Sequence, residues 1–303
     1  AYDPINVANG HLYIGGGVVN HNCSFLGSAG TLIIGDKLQK LAFVDPIWVS
    51  ETEDFKIYEK PDPTHKYILT ADVSEGVDRD YSVISIFDVT ERPFKHVAKY
   101  RNNQIPPEMF VDVIAKLGKK YNEALAIIET NSIGVNVAKD LWLEYEYENI
   151  VRSVERESGA KVSYGGQSKL GVKTTKATKR IGCSTLKSLI ETDTLITNDF
   201  EAISELSTFI SQNSSWGAEE GKYDDVVMSM VLFAWFTQQQ AFEDYMSGAM
   251  NSVLRKARQD QEWGMPDIQF TDGIEDDGFD NTMFAPPVSR GSDGDAEILH
   301  ELF

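Results

Sequence analysis

The chain has 303 residues, of which 42% are hydrophobic, and this is typical of a folded protein with one large core or two smaller ones. The longest apolar run, from Val226 to Phe236, is interrupted by Ser229 and is shorter than the roughly 20 residues needed to cross a bilayer, so we expect no membrane span. The N-terminal stretch lacks the pattern of a signal peptide, and the chain has only two cysteines, which favours a reducing cytosol over a disulfide framework.

The formal net charge of -19 weighs against nucleic-acid binding, because affinity for DNA comes mainly from Lys and Arg side chains that neutralise phosphates. The charge is unevenly distributed, however. Residues 267–295 are rich in Asp and Gly, whereas residues 161–187 are locally basic. A metal-dependent nuclease must also concentrate carboxylates where its ions bind, so the net charge does not exclude one.

The apolar runs YILTAD (67–72) and YSVISIFD (81–88) predict two adjacent antiparallel strands. A helix is predicted to open at Pro106-Pro107-Glu108 and to be followed by a buried strand over 124–129. Further strands are predicted at 150–154 and 195–196, and further helices at 135–145, 178–192, 202–210 and 226–240. This alternation predicts an α/β domain over 63–245, with a connector at 23–62 and a flexible acidic tail at 246–303.

Acidic residues stand where these elements begin or end. Asp72 and Glu129 each end a predicted strand, and Asp224-Asp225 precede a predicted helix. Mg²⁺ and Mn²⁺ prefer oxygen ligands, and a pair of such ions promotes phosphodiester hydrolysis. Taken singly, each acid is more often a turn former or a helix cap, but their combination favours a metal site.

Four separated motifs, in this order, resemble the nuclease domain of the large terminase subunit of contractile-tailed bacteriophages. They are ADVSEG with DY (71–76 and 80–81), IETNSIGVNVAK (128–139), TKATKRIGCSTLK (175–187) and EEGKYDDVVMS (219–229). The resemblance implies a ribonuclease H-like fold, a mixed central β-sheet flanked by helices. It also implies an endonuclease that uses Mg²⁺ or Mn²⁺ to cut double-stranded, concatemeric DNA during packaging in the host cytoplasm.

By motif position, the resemblance implies a catalytic triad of Asp72, Glu129 and Asp225, with Asp224 and Asp80 as auxiliary metal ligands. The choice between Asp224 and Asp225 stays open. The basic stretch is the best candidate for contacting DNA phosphates, through Lys169, Lys173, Lys176, Lys179 and Arg180, although each lysine alone is equally typical of a solvated helix start.

Large terminases also carry an ATPase motor, but the chain contains no G-x-x-x-x-G-K-[ST] phosphate loop. We therefore expect a nuclease half whose partners include a separate motor domain, the portal protein and the small terminase subunit. Because the chain begins at Ala1 without an initiator Met, we also expect a processed chain or a fragment.

The first 22 residues differ from a terminase and resemble the C-terminal piece of an intein. In that interpretation Asn22 cyclises, His21 assists the cleavage and Cys23 is the accepting thiol, and a complementary N-terminal intein fragment is a further partner. An ordinary strand-turn-strand with a buried cysteine is the alternative.

Two other functions remain open from the sequence. One is another ribonuclease H-like nuclease of the resolvase or transposase type, and the other is a non-catalytic docking module whose acids are structural.

Overall fold

A computed structural model describes residues 30–76, 80–156, 158–164, 167–212 and 215–249, together with one N-terminal hairpin. That hairpin consists of β1 (Leu12–Gly15) and β2 (Val18–His21), which pair antiparallel. His21 ends β2, whereas Asn22 and Cys23 lie outside the described residues. The same is true of residues 250–303, which make up most of the expected tail.

A seven-stranded mixed sheet forms the centre of the domain. Its strands are β3 (Trp48–Val49), β4 (Phe55–Ile57), β5 (Tyr67–Asp72), β6 (Ser82–Asp88), β7 (Phe94–Asn102), β8 (Leu125–Ile128) and β12 (Leu195–Ile196). They follow the order β3-β4-β7-β6-β5-β8, with β12 added beside β7. Two pairings are parallel, β5 with β8 and β12 with β7, and the rest are antiparallel.

Two smaller sheets complete the described strands. One has β9 (Arg152–Arg156) between β10 (Gly159–Val162) and β11 (Lys169–Leu170), and the other is a hairpin of β13 (Phe209–Gln212) and β14 (Ser215–Ala218). The helices are α1 (Gly35–Leu38), α2 (Pro107–Lys120), α3 (Gly134–Leu143), α4 (Lys176–Glu191), α5 (Phe200–Leu206), α6 (Asp225–Phe236) and α7 (Gln240–Ser247).

Helices cover both faces of the central sheet, and β5 shows why. Successive side chains of a strand point to opposite faces. Ile68 joins a core shared with α4, α5 and α6, whereas Leu69 joins a second core shared with α2 and α3. Both are fully buried, so this strand is covered on both faces and does not alternate between a buried and an exposed side. The mixed α/β architecture expected from the sequence is confirmed.

α6 is the most buried helix of the domain. Its side chains are apolar around the whole circumference, as is typical of a helix that neighbours enclose on every side. Phe233 stacks on Phe87 of β6 with ring centroids 4.0 Å apart, and Gly182 of α4 lies against the Val231 backbone. The helix therefore has little freedom to shift relative to the sheet.

The structure corrects two predicted helices. The helix predicted over 202–210 ends at Leu206, and Phe209–Gln212 forms a strand of the β13–β14 hairpin. The helix predicted over 226–240 ends at Phe236, because Gln239 has an extended backbone and the chain turns into α7. Phe242 of α7 then packs edge-on against Phe236, and this contact stabilises the turn between the two helices.

The domain boundaries also differ from those expected. β3 and β4 belong to the central sheet although they lie in the range assigned to a connector, and Leu32 and Ile33 are buried in the core. α7 extends to Ser247, just beyond the expected start of the tail. Among the described helices, none has the length and apolarity to span a membrane.

Candidate active site

Asp72 and Glu129 lie side by side because two parallel strands end in register. β5 pairs with β8 so that Ala71 is opposite Ile128, and Glu129 N–H donates to the Ala71 carbonyl at 2.9 Å. Asp72 is the last residue of β5 and Glu129 follows β8 directly. Because both strands run in the same direction, both carboxylates emerge at one edge of the sheet.

The other predicted acids meet at the same edge. Asp80 precedes β6, which pairs antiparallel with β5, and Asp224 and Asp225 lie at the start of α6. A pocket of about 500 Å³, here called the acidic pocket, is lined by Asp72, Asp80, Asp224 and Asp225. Glu129 does not line this pocket itself, but its side chain is hydrogen-bonded to that of Asp72, which does.

Asn131 holds the Glu129 side chain. Its Nδ2 donates to Glu129 Oε1 at 2.7 Å and lies 3.4 Å from the Thr174 carbonyl. The backbone is equally constrained, since a Cβ on Gly134 would lie 1.9 Å from the Glu129 carbonyl oxygen. Gly134 therefore allows α3 to begin directly against the loop that carries Glu129.

The electrostatics show an excess of negative charge. Burial raises the pKa of Asp72 well above its usual value, and the neighbouring Glu129, Asp225 and Asp224 raise it further. Burial also raises the pKa of Asp225 to about 6, even though the Tyr81 N–H donates to its carboxylate and favours the ionised form; Asp224 and Asp80 add smaller upward contributions. A cation placed in the acidic pocket would relieve this repulsion.

The donor set fits a hard divalent cation, because carboxylate oxygens surround the pocket and one of them is unused. Asp225 Oδ2 is buried and has no hydrogen-bond partner among the described residues. Within the described chain, no three acidic, histidine or cysteine side chains converge closely enough to hold an ion as they stand. Asp72, Asp80, Asp224 and Asp225 nevertheless line the same pocket.

Asp224 connects the acidic pocket to a second pocket. Its Oδ2 accepts the Ala218 N–H of β14 at 3.3 Å and lies 3.9 Å from Lys179 Nζ. Lys179 in turn lines a pocket of about 420 Å³ between α4 and the β13–β14 hairpin, here called the basic pocket. Its lining also includes Lys176, Arg180 and Trp216.

The predicted phosphate-binding residues therefore separate into two groups. Lys176, Lys179 and Arg180 lie together at the basic pocket, and no acidic side chain in the described parts of the chain lies within 4 Å of Lys176 or Arg180. Lys169 is exposed in β11, and Lys173 pairs with Glu155 at 3.2 Å. The structure does not place these last two at the basic pocket.

Sequence reasoning missed residues that lie beneath the acids. Arg101 of β7 lies 3.4 Å from the centroid of the Tyr81 ring and 5.5 Å from that of Tyr223, and these rings meet edge-on. Its Nη2 is 3.6 Å from Oε1 of Glu205 in α5. These contacts join residues far apart in sequence and leave no local motif. Asn131, by contrast, stands two residues after Glu129.

A family model described as the terminase RNaseH-like domain matches residues 69–235, more than half of the chain. The chain belongs to this family. The matched range begins within β5 and ends within α6, so it contains all five carboxylates discussed above.

Solved structures agree on the fold of this terminase RNaseH-like domain. A cobalt-bound structure of the large terminase nuclease from thermophilic phage G20c matches with a TM-score of 0.53 and 21% identity, covering 70% of this chain and 100% of that one. A magnesium-bound structure of the same nuclease matches with a TM-score of 0.53, 20% identity and the same coverage. The ribonuclease H-like fold expected from the sequence is thereby confirmed.

Proposed function

We propose that this chain is a metal-dependent endonuclease that cuts double-stranded, concatemeric DNA during genome packaging in a contractile-tailed phage. The observation that supports the proposal is the in-register parallel pairing of β5 with β8, by which Glu129 lies beside Asp72, one of the carboxylates that line the acidic pocket. The similar phage G20c nuclease has been solved with cobalt and with magnesium bound, which supports a divalent ion here. Family membership favours a terminase over a resolvase or transposase.

The ions we propose are Mg²⁺ or Mn²⁺, held by Asp72, Glu129 and Asp225 with Asp224 and Asp80 as further ligands. When bound, a pair of such ions supplies an activated water and neutralises charge on the leaving oxygen. The chain's own contribution is to orient the ligands: Asn131 fixes Glu129 by its 2.7 Å hydrogen bond. Asp72 and Asp225 must lose their protons before they can bind, and an incoming cation favours that loss.

The basic pocket is proposed to hold the DNA backbone beside the site of cleavage. Lys176 and Arg180 are exposed at the start of α4, and Lys179 joins this surface to Asp224. A phosphate bound here would keep the strand next to the acidic pocket without contacting base edges, so we expect little sequence preference. Lys169 and Lys173 would contact only DNA that extends past the pocket.

Plasmid cleavage tests the proposal. The purified chain is incubated with supercoiled plasmid and Mg²⁺ or Mn²⁺, alongside Glu129→Ala and a matched control, Glu91→Ala, which removes an exposed acid far from the pocket. We expect metal-dependent nicking and linearisation by the wild type and the control, and none by Glu129→Ala. Equal cleavage by both variants would reject the assignment of the site. A folded wild type that binds neither metal nor DNA would favour the docking module instead.

The partners follow from the same proposal. We infer that an ATPase motor domain, the portal protein and the small terminase subunit act with this nuclease in the host cytoplasm, and that the chain is not a component of the mature virion. Co-purification of the chain with a terminase motor domain tests this inference, and failure of the two to associate on a packaging-competent portal would oppose it.

We also propose that residues 1–22 are the C-terminal piece of an intein, with His21, Asn22 and Cys23 at its splice junction. Mixing the chain with a matching N-terminal intein fragment tests this directly. Mass spectrometry should show loss of the first 22 residues and a new peptide bond to Cys23. An unchanged mass would show that the segment does not splice.

A further inference from the structure

The first turn of α6 is capped by a residue from another helix. Glu205 of α5 is buried, and its Oε2 accepts the N–H groups of Val226 at 2.9 Å and Val227 at 3.0 Å. The first N–H groups of a helix have no partner within the helix and need an acceptor. Glu205 thus supplies from α5 what a helix usually obtains from the residue just before it.

Asp224 occupies the position that normally does this. Aspartate is among the preferred residues at the start of a helix, where its carboxylate accepts the N–H two or three residues later. Asp224 makes no such bond here. Its carboxylate instead faces the acidic pocket and interacts with Ala218 N–H and Lys179.

The carboxylate of Glu205 also lies beside a cationic side chain of β7. Arg101 Nη2 lies 3.6 Å from its other oxygen, and the Arg101 guanidinium stacks on Tyr81, whose N–H donates to Asp225. An opposite charge at this distance offsets part of the cost of burying the Glu205 carboxylate. Arg101 thus gives the capping group an ion-pair partner on β7, although Glu205 Oε1 accepts no hydrogen bond among the described residues.

We propose that Glu205 is a positioning residue of the metal site, because it caps α6 in place of Asp224 and so leaves the carboxylates of Asp224 and Asp225 directed at the pocket. This inference rests on the proposed nuclease function for its effect on metal binding, but the capping exchange itself can be measured without any metal. Without Glu205, we expect Asp224, which occupies the N-cap position, to accept these N–H groups and so to turn towards the helix and away from the pocket.

Two variants separate positioning from simple support of the fold. Glu205→Ala removes the acceptor, whereas Glu205→Gln keeps a side-chain oxygen of the same reach. Ser50→Ala is the matched control, since Ser50 Oγ accepts the buried Phe55 N–H at 3.0 Å at the β3–β4 edge of the sheet, and its loss also leaves a backbone N–H without its side-chain acceptor.

Mn²⁺ binding to the full chain is measured by calorimetry, with thermal unfolding of each variant in chelator. We expect Glu205→Ala to weaken Mn²⁺ binding at least tenfold, Glu205→Gln to stay within threefold of the wild type, and Ser50→Ala to lower the melting temperature without weakening Mn²⁺ binding. If Glu205→Ala and Ser50→Ala lose melting temperature alike and neither weakens Mn²⁺ binding, Glu205 is merely structural and the proposal is overturned.

A crystal structure of metal-free Glu205→Ala provides the independent readout. We expect the Asp224 carboxylate to accept the Val226 or Val227 N–H in that variant. An Asp224 that still faces the acidic pocket would contradict the capping exchange whatever the nuclease does. A wild-type chain that binds no Mn²⁺ while the variant shows the Asp224 rotation would reject the proposed function but retain the exchange.

Discussion

Asp225 combines two properties that oppose each other at the scale of the single residue. Its carboxylate lies close to those of Asp224 and Asp80, and one of its oxygens is buried with no hydrogen-bond partner in the described residues. Such a group destabilises the folded protein when ionised and becomes useful only when a cation binds. The site therefore lowers the stability of the metal-free protein and in return favours cation binding, as functional sites commonly do.

The pH dependence of the thermal stability of Asp225→Asn measures this loss of stability. The pKa of Asp225 is about 6 in the folded protein against an ordinary 3.8, so the stability that its proton confers is fully present below about pH 4 and is lost as the pH rises through 6. Asparagine cannot ionise. In chelator at pH 8 we expect Asp225→Asn to melt higher than the wild type by a few degrees, on the order of 1–3 kcal/mol, and to show no advantage at pH 4.

Thermal unfolding at the two pH values checks this expectation, with Glu91→Gln as a control that should change neither value. A lower melting temperature for Asp225→Asn at pH 8 would mean that its ionised form is stabilised by contacts other than those described above.

Asn131 offers a second test at the residue scale. Asn131→Ala removes the hydrogen bond that fixes Glu129, and loss of such an orienting partner typically costs 10- to 100-fold in metal affinity. We expect roughly a tenfold rise in the Mn²⁺ concentration that gives half-maximal cleavage. Asn136→Ala, on an exposed position of α3, is the control and should leave it unchanged. Identical behaviour of the two variants would show that Glu129 is held by other contacts.

Secondary-structure elements determine where the acids meet. Their approximate positions could be predicted from the sequence, but the pairing that brings the acids together could not. The positions of Asp72 and Glu129 at strand ends follow from the apolar runs before them. Their register does not, since nothing local shows that Ala71 faces Ile128. The predicted helix 202–210 was wrong because apolar residues at 202, 203, 206, 209 and 210 satisfy helical spacing equally well as a short helix followed by a strand.

The contact between α4 and α6 is the element-scale feature most sensitive to change. A Cβ on Gly182 would lie 2.5 Å from the Val231 carbonyl oxygen, so Gly182→Ala must push apart the helix bearing the basic pocket and the helix bearing Asp225. We expect a loss of about 1–3 kcal/mol in the free energy of unfolding, although alanine is the better helix former.

Denaturant unfolding measures this loss, and Ser184→Ala, on an exposed position of the same helix, is the control. Equal or greater stability of Gly182→Ala would show that the two helices can separate at no cost.

Charge distribution is a property of the whole molecule, and here it decides how DNA can be bound at all. A chain with a net charge of -19 repels a polyanion, so binding depends on a local cluster of cations such as the one at the basic pocket. The long-range contacts of Arg101 and Glu205 also belong to this scale, because only the folded chain brings β7, α5 and α6 together. No local sequence pattern could have revealed them.

The salt dependence of DNA binding tests the basic pocket. Each phosphate contact contributes about 0.9 to the slope of log affinity against log salt concentration. We expect the double variant Lys176→Gln with Arg180→Gln to reduce that slope by about 2, and Lys60→Gln, which replaces an exposed lysine, to leave it unchanged. Equal slopes for the wild type and the double variant would show that DNA binds elsewhere on the surface.

An anomalous-scattering map from a crystal of the chain soaked in Mn²⁺ shows directly whether these carboxylates form a divalent metal site. We expect a manganese peak in the acidic pocket in contact with Asp72 and Asp225, and no peak there in Asp225→Asn. An ordered, accessible pocket without manganese in the wild type, or an ion bound only away from these residues, would contradict it.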